Sequence, residues 1–362
     1  VLLLPPVRWA ARRSTSLSDR STGPVPTPTA DIRCLTAQNT LERRRRVHLS
    51  PRLCTVVSYL TDLSVELGGA VFKNPVMPAS GTYDYFENNA DCFPVSELGA
   101  VMIKSVHRLR RPGNPGPRIA EVCGGMLNCV GIPSVGIEAF LRDELPRYEN
   151  IGTQVILSIS GSEPVHYAEI AELVGDDPRI AALEMNLSCP NVGSGLPFSS
   201  DPQLLYDTVR QTRQRTTLPL YAKLSPNVTD IRVSCRAAED AGADALTLSN
   251  TFRAMTIDIQ KRRPYLGNLS GGMSGPAVKP MNMFLVWQAY ETVHIPIIAC
   301  GGIASWRDAV EYLMAGASAV QVGSCNFNDP MTMHNIIHDL DSYLHRNGIA
   351  SVRELCGAAH KQ

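Results

Sequence analysis

From Thr61 onward, short apolar runs rich in Val, Ile, Leu and Met recur along the chain, with helix-length segments between them. That pattern predicts βαβ units around a parallel sheet. The runs are PVMPA (Pro75 to Ala79), AVMIKS (Ala100 to Ser105), QVILSIS (Gln154 to Ser160) and ALEMNLS (Ala182 to Ser188). LYAKLS (Leu220 to Ser225), ALTLSN (Ala245 to Asn250), PIIACGG (Pro296 to Gly302) and AVQVGS (Ala319 to Ser324) follow. Eight such units predict a closed α/β barrel, the (β/α)8 TIM fold, over residues 61–362. DPQLLYDTVRQTRQ opens with Asp-Pro, a helix-start signal, and IRVSCRAAEDAGAD runs into Gly242, a helix stop. Longer gaps after the second and sixth runs, around Arg110 to Pro133 and Phe252 to Pro280, read as functional loops or small hairpins. An open doubly wound sheet is the competing fold, but its glycine-rich dinucleotide signature after the first strand is absent.

Residues 1–60 lack any helical or strand period and mix Pro, Ser, Thr and Arg. They hold ten arginines, no lysine and three acids, a net +7 that leaves −7 on the remainder of a chain whose formal charge is zero. Such a segment buries too little apolar surface to offset chain entropy and is expected to be a disordered leader, with an organellar transit segment or an unprocessed upstream extension as alternatives. The acidic remainder carries no nucleic-acid stripe. No apolar run reaches the ~18 residues of a membrane span, and a cytoplasmic protein is expected. The ten cysteines lack the two-residue spacing of zinc or thioredoxin motifs, so reduced thiols are expected and no metal site is assigned.

In a barrel the active site lies at the carboxyl ends of the strands. The residues closing the eight runs are unusually polar: Ser80, Lys104 with Ser105, Ser158, Asn186 with Cys189, Lys223, Asn250, Gly301 with Gly302, and Gly323 with Ser324. Each alone reads as a loop cap or a solvated end; eight together read as one pocket. Glycines after the seventh and eighth strands, beside the helix start marked by the capping-box pattern SWRD (Ser305 to Asp308), suit a phosphate-bearing ligand. Lys104 and Lys223 at the mouth imply an anion, or a ring that becomes anionic on reduction. Asn128, Asn186, Asn191 and Asn250 offer both donors and acceptors, as a planar ligand with imide and carboxylate edges requires.

Taken in order, the motifs NPVMPASGTYDY, VMIKS, GNPGPRIAE, GGMLNCVGIPSVG, EMNLSCPNV, YAKLSPNVTDI, GGMSGPAVKP, CGGIASWRDAVEYLMAGASAVQVGS and ASVRELCGAAH resemble the family 1 dihydroorotate dehydrogenases. They are most similar to the class 1B, NAD-linked catalytic subunits, and the resemblance covers about Thr61 to His360. It implies FMN-dependent oxidation of dihydroorotate to orotate in de novo pyrimidine biosynthesis. A base removes the C5 proton while the flavin accepts hydride from C6. The base is cysteine in the soluble class and serine in the membrane-associated class, which assigns the role to Cys189. A thiol titrating near ~8.5 ionises more readily than a serine hydroxyl.

The resemblance further implies an orotate-binding set of Lys104, Asn128, Cys129, Val130, Gly131, Ile132, Asn186, Asn191, Asn250 and Thr251. Its FMN set is Ser80, Lys104, Ser105, Ser158, Asn186, Lys223, Ser249, Gly275, Gly301, Gly302, Gly323 and Ser324. Ser158 stands where the family usually has asparagine, Ser249 where it usually has a branched apolar residue, and Cys129 where alanine is common. The implied partners are a second copy of the chain, and a subunit carrying FAD and a 2Fe-2S cluster that passes electrons to NAD, joined as a heterotetramer. Alternatives are a fumarate-linked class 1A enzyme, another FMN barrel such as a dihydropyrimidine dehydrogenase, and a non-catalytic barrel. HNIIH (His334 to His338) puts two histidines on one helical face but lacks the glutamate of the zinc-protease motif, and reads as a solvated helix. MTM and FLVW read as core and interface.

Overall fold

A computed structural model describes residues 61–188 and 198–361. Cys189, Asn191 and the leader, residues 1–60, lie outside the described residues.

All eight expected strands are present: β1 (Val76–Pro78), β2 (Ala100–His107), β3 (Gln154–Ser160), β4 (Ala182–Asn186), β5 (Leu220–Lys223), β6 (Ala245–Leu248), β7 (Ile297–Cys300) and β8 (Ala319–Val322). They form one parallel sheet in the order β1-β8-β7-β6-β5-β4-β3-β2. The seam between β1 and β2 is bridged by the Gly99 N–H donating to the Val76 carbonyl at 2.9 Å and by Ser80 Oγ donating to the Ile103 carbonyl at 3.1 Å. The barrel is thus nearly closed.

Among the described residues the longer helices around it are α1 (Pro164–Val174), α2 (Pro202–Arg213), α3 (Ile231–Asp240), α4 (Lys279–Tyr290), α5 (Trp306–Met314) and α6 (Thr332–Asn347). The Asp-Pro signal is realised: Asp201 caps α2 by accepting from the N–H groups of Gln203 and Leu204. At α5 the expected box does not form. The Ser305 hydroxyl donates to Asp308 Oδ2 instead of accepting from the helix, and Asp308 also accepts from the Ala304 N–H and from Lys279 Nζ.

Strand alternation sorts the core into two layers. Val155, Leu157, Leu183, Met185, Leu246, Leu248, Val320 and Val322 face the helices. Met77, Met102, Ile156, Tyr221 and Ile298 fill the barrel interior against the hairpin Val65–Leu67/Ala70–Phe72. Tyr221 reaches that hairpin through its hydroxyl, 2.9 Å from the Leu67 carbonyl.

The two long insertions do more than form separate hairpins. Ile119–Val122 and Gly125–Asn128, inserted after β2, pair with Gly271–Ser274 and Phe252–Ala254, inserted after β6. The result is one antiparallel four-stranded sheet with its own small core around Leu127, Cys129 and Leu266. Among the described residues no helix is long and apolar enough to cross a membrane.

Candidate active site

A cavity of about 810 Å³ lies between the ends of the barrel strands and the inserted sheet. Volumes of ~300–1,000 Å³ are usual for cofactor and substrate sites. Of the described residues that the sequence nominated, every one but Ser158 lines it. One wall is a continuous run of hydrogen bonds across four strand ends, those of β1, β2, β4 and β6. Ser80 Oγ lies 3.4 Å from Ser105 Oγ, Asn186 Nδ2 donates to Ser105 Oγ at 3.2 Å, and Asn250 Nδ2 donates to Asn186 Oδ1 at 3.0 Å. Asn250 Oδ1 then accepts the Thr251 N–H at 2.8 Å. These bonds fix the amide orientations, so both asparagines present defined edges to the cavity.

Lys104 and Ser105 are adjacent in β2, and a regular strand would point them to opposite faces. A register shift against β3 between Ile103 and Val106 allows both to line the cavity. The same bulge corrects the expectation for Ser158. Ser105 lies over it, 2.8 Å from Oγ to Oγ, and Ser158 is wholly buried rather than open to a ligand.

Lys104 stands open to the cavity; surrounding protein and, secondarily, the Arg118 charge lower its pKa. Lys223 differs from the expected free ammonium at the mouth. It is only 6% exposed and held from below, with Nζ 2.7 Å from Gln321 Oε1 and 3.4 Å from Glu184 Oε1. Burial would lower its pKa, but Cys300 and Glu184 outweigh it and hold the ammonium above the ordinary lysine value.

Glu184, 0% exposed, completes this layer by accepting from Thr247 Oγ1 at 2.9 Å and Gln321 Nε2 at 2.5 Å. Glu184, Thr247, Cys300 and Gln321 were missed at the level of sequence. Their signal was a polar residue inside an otherwise apolar strand run: the E of ALEMN, the T of ALTL and the Q of AVQV.

The segment Asn128–Ile132 forms the roof side. Asn114 Nδ2 donates to the Cys129 carbonyl at 3.0 Å, the Asn114 N–H donates to the Val130 carbonyl at 3.1 Å, and the Cys129 N–H donates to the Arg118 carbonyl at 2.8 Å. Cys129 Sγ turns toward the Pro117 carbonyl at 3.6 Å. Ile132 has a φ of +49°, a left-handed conformation costly for a β-branched residue.

At the opposite end, Gly301 and Gly302 after β7 adjoin Gly323 and Ser324 after β8. Gly302 has a φ of +72°, and a Cβ there would sit 2.7 Å from the Lys279 backbone nitrogen, so only glycine fits. Asn282, buried on α4, anchors this end: its Nδ2 donates to the Leu248 and Cys300 carbonyls at 3.2 Å, and its Oδ1 accepts from Ser249 Oγ at 2.6 Å. Ser249 is therefore tied to α4, an explanation for a polar residue at a position where the resemblance expected an apolar one. Gly275 joins the inserted sheet to α4.

A cluster separate from the cavity involves the HNIIH pair. His334 and His338 do share a face of α6, but they meet Glu97 from the β1–β2 connection rather than only solvent. Of the two apolar decoys, Met333 is core and Phe284 is exposed. All seven described cysteines are unpaired.

With this geometry established, comparison with known proteins is decisive. The family description "Dihydroorotate dehydrogenase" matches residues 62–344. The chain belongs to the dihydroorotate dehydrogenase family. Among its relatives in that family, the dihydroorotate dehydrogenase B (NAD(+)), catalytic subunit of Geotalea uraniireducens is 47% identical over 298 residues, 82% of this chain and 98% of the relative. The proteins of the same name from Desulforudis audaxviator and Geobacter sulfurreducens are 48% and 47% identical, over 82% of this chain and 97% and 98% of their own lengths. The dihydroorotate dehydrogenase match spans both insertions and all eight barrel strands, so cavity wall, roof and glycine end all fall within it.

Proposed function

We propose that this protein oxidises (S)-dihydroorotate to orotate in pyrimidine biosynthesis, with FMN in the barrel mouth and electrons leaving through an Fe-S/FAD partner subunit to NAD. The observation that carries the site assignment is the convergence on one cavity of two lysines, a glycine-lined end and a fixed pair of asparagines. The residues present fit FMN. Gly323 leaves open space, since a Cβ there would meet only Ala79 at 3.8 Å, and Gly301, Gly302 and Ser324 surround it with small side chains suited to a phosphate. Ser80, Ser105 and Ser249 and the Lys223 ammonium suit a polar ring edge, with Ser158 supporting Ser105 from behind. Bound there, FMN supplies the hydride acceptor for C6 of the substrate.

The chain's own residues supply the rest. Lys104, Asn186, Asn250 and Thr251, with the segment Asn128–Ile132 and Asn191, hold the substrate's carboxylate and imide edges. Their mutual hydrogen bonds give the preorganisation that holds reacting atoms in register. Cys189 removes the C5 proton; the residue before it, Ser188, lines the cavity. The Lys104 and Lys223 ammonium groups would stabilise negative charge that develops on the ligand.

The test is anaerobic mixing of dihydroorotate with the Cys189→Ala variant. Bound flavin and substrate affinity should persist while flavin reduction slows by about 10²–10⁴-fold, the usual contribution of a positioned base. Reduction at the parental rate would overturn the assignment. Turnover with NAD only when the partner co-purifies supports the class 1B reading, whereas strong fumarate-linked turnover by the isolated chain overturns it.

A further inference from the structure

We propose that Glu97, His334 and His338 form a divalent transition-metal site, of the zinc type, that fastens the β1–β2 connection to α6. Glu97 Oε2 lies 2.7 Å from His334 Nδ1 and 3.4 Å from His338 Nε2, and the ligand atoms of all three residues lie within 4.8 Å of one another. A metal at ~2.0–2.2 Å from each ligand needs such a convergent triangle. None of the three lines the cavity, so the site is distinct from the catalytic one.

The ligands are held in place before any ion arrives. Residues four apart on a helix stack on one face, and the two imidazole centroids are 4.3 Å apart. Phe93 packs against the His334 ring at 5.6 Å. The Glu97 backbone is pinned by Asn74, whose Nδ2 donates to the Glu97 carbonyl at 2.7 Å, while Lys73 Nζ donates to the neighbouring Ser96 carbonyl at 2.7 Å.

The donor chemistry selects the ion. Two imidazole nitrogens and one carboxylate oxygen suit zinc and its neighbours, whereas magnesium and calcium take oxygen ligands. Three protein ligands leave a coordination position for water, and His338 is 61% exposed, so an ion can reach the site from solvent. The consequence is structural. Glu97 lies between the first and second strands and α6 follows the eighth, so a bound ion ties the start of the barrel to its end across the β1–β8 pairing.

The test is calorimetric titration of the full-length flavin-bound protein with Zn²⁺ under reducing conditions, beside His338→Ala and Glu97→Gln. The parent should bind one ion. Its affinity should fall by more than about a hundredfold in His338→Ala, beyond the ~10–100-fold that outer-shell changes cost, with turnover and circular dichroism unchanged. At Zn²⁺ about 100 times Kd the parent should unfold roughly 3–5 °C higher, a shift absent from the variant. Co²⁺ should show ligand-field bands without thiolate charge transfer. Equal titration of parent and both variants, thiolate bands with Co²⁺, or no binding by the parent would each overturn the proposal and leave Glu97 as a hydrogen-bond partner of two histidines only.

Discussion

Replacing Glu184 probes the least expected part of the site. Its carboxylate is the counter-charge of Lys223 and the acceptor for Thr247 and Gln321, all out of water. Glu184→Ala leaves the ammonium beside Gln321 and Cys300 with no carboxylate to balance it. Holding that charge uncompensated costs about 3–5 kcal/mol. The alternative, shedding the proton at neutral pH, means moving the pKa from ~10.4 to below 7, about 4–5 kcal/mol at ~1.4 kcal/mol per unit. Both routes give roughly 4 kcal/mol, or a drop of about 1–2 M in the urea midpoint. Glu184→Gln keeps an acceptor for Thr247 and should lose about half as much. Unfolding should be followed by circular dichroism at one fixed saturating FMN concentration, because ligand binding shifts the midpoint. The sharper test adds Lys223→Met to Glu184→Ala: with the unpaired charge gone, the double variant should be more stable than Glu184→Ala. Additive losses would refute the account of Glu184 as counter-charge.

Two further outcomes are expected from groups around the site. His107 is buried, with the Leu109 N–H donated to Nδ1 and Nε2 beside Ser162 Oγ; burial, then the Arg111 and His166 charges, push its pKa down to about 4 from 6.5. The unfolded chain therefore binds the extra proton between those values, so stability should fall as pH drops from about 6.5 to 4, by roughly 3 kcal/mol, and His107→Gln should flatten that limb in urea titrations. Gly272→Ala would place a Cβ 1.8 Å from Thr251 Oγ1 and 2.5 Å from its Cβ, displacing Thr251 and the Asn250 bond; KM for dihydroorotate should rise tenfold or more with flavin retained, and an unchanged KM would remove Thr251 from the substrate set.

How far the sequence could be read follows from the range of the interactions involved. The strands were legible because each apolar run is short, rich in Val, Ile, Leu and Met, and closed by polar residues. β3 matches its run end for end, while β2 continues to His107, two residues beyond its run, past a bulge that local pattern does not encode. The cavity residues were legible because each strand end is a local feature and the barrel gathers them. Pairing of Gly125–Asn128 with Gly271–Ser274 was not, since two insertions far apart in sequence carry no shared local signal. The same holds for Glu97, whose separation from His334 hid the third member of that cluster. Ser158 differs for another reason: the sequence nominated it for the cavity, but beside the bulge Ser105 stands in front of it.

The polar layer beneath the cavity is best understood as a requirement of Lys223 rather than of folding. Below it the barrel is filled by Met77, Met102, Ile156, Tyr221 and Ile298, and continuing that apolar packing upward would cost nothing, because well-packed apolar replacements of buried ion pairs are often neutral or stabilising. An ammonium at the cavity floor changes the balance. In the function proposed above it acts as a charged group on a ligand that gains electrons, yet at 6% exposure water cannot hold it so. Glu184 supplies the charge, Gln321 bridges carboxylate and ammonium, and Thr247 fills a remaining lone pair. These residues come from β4, β5, β6 and β8, so the charge state of one lysine is set by the closed barrel as a whole, and loosening any of those strands should be felt at the ligand before it is felt in the fold.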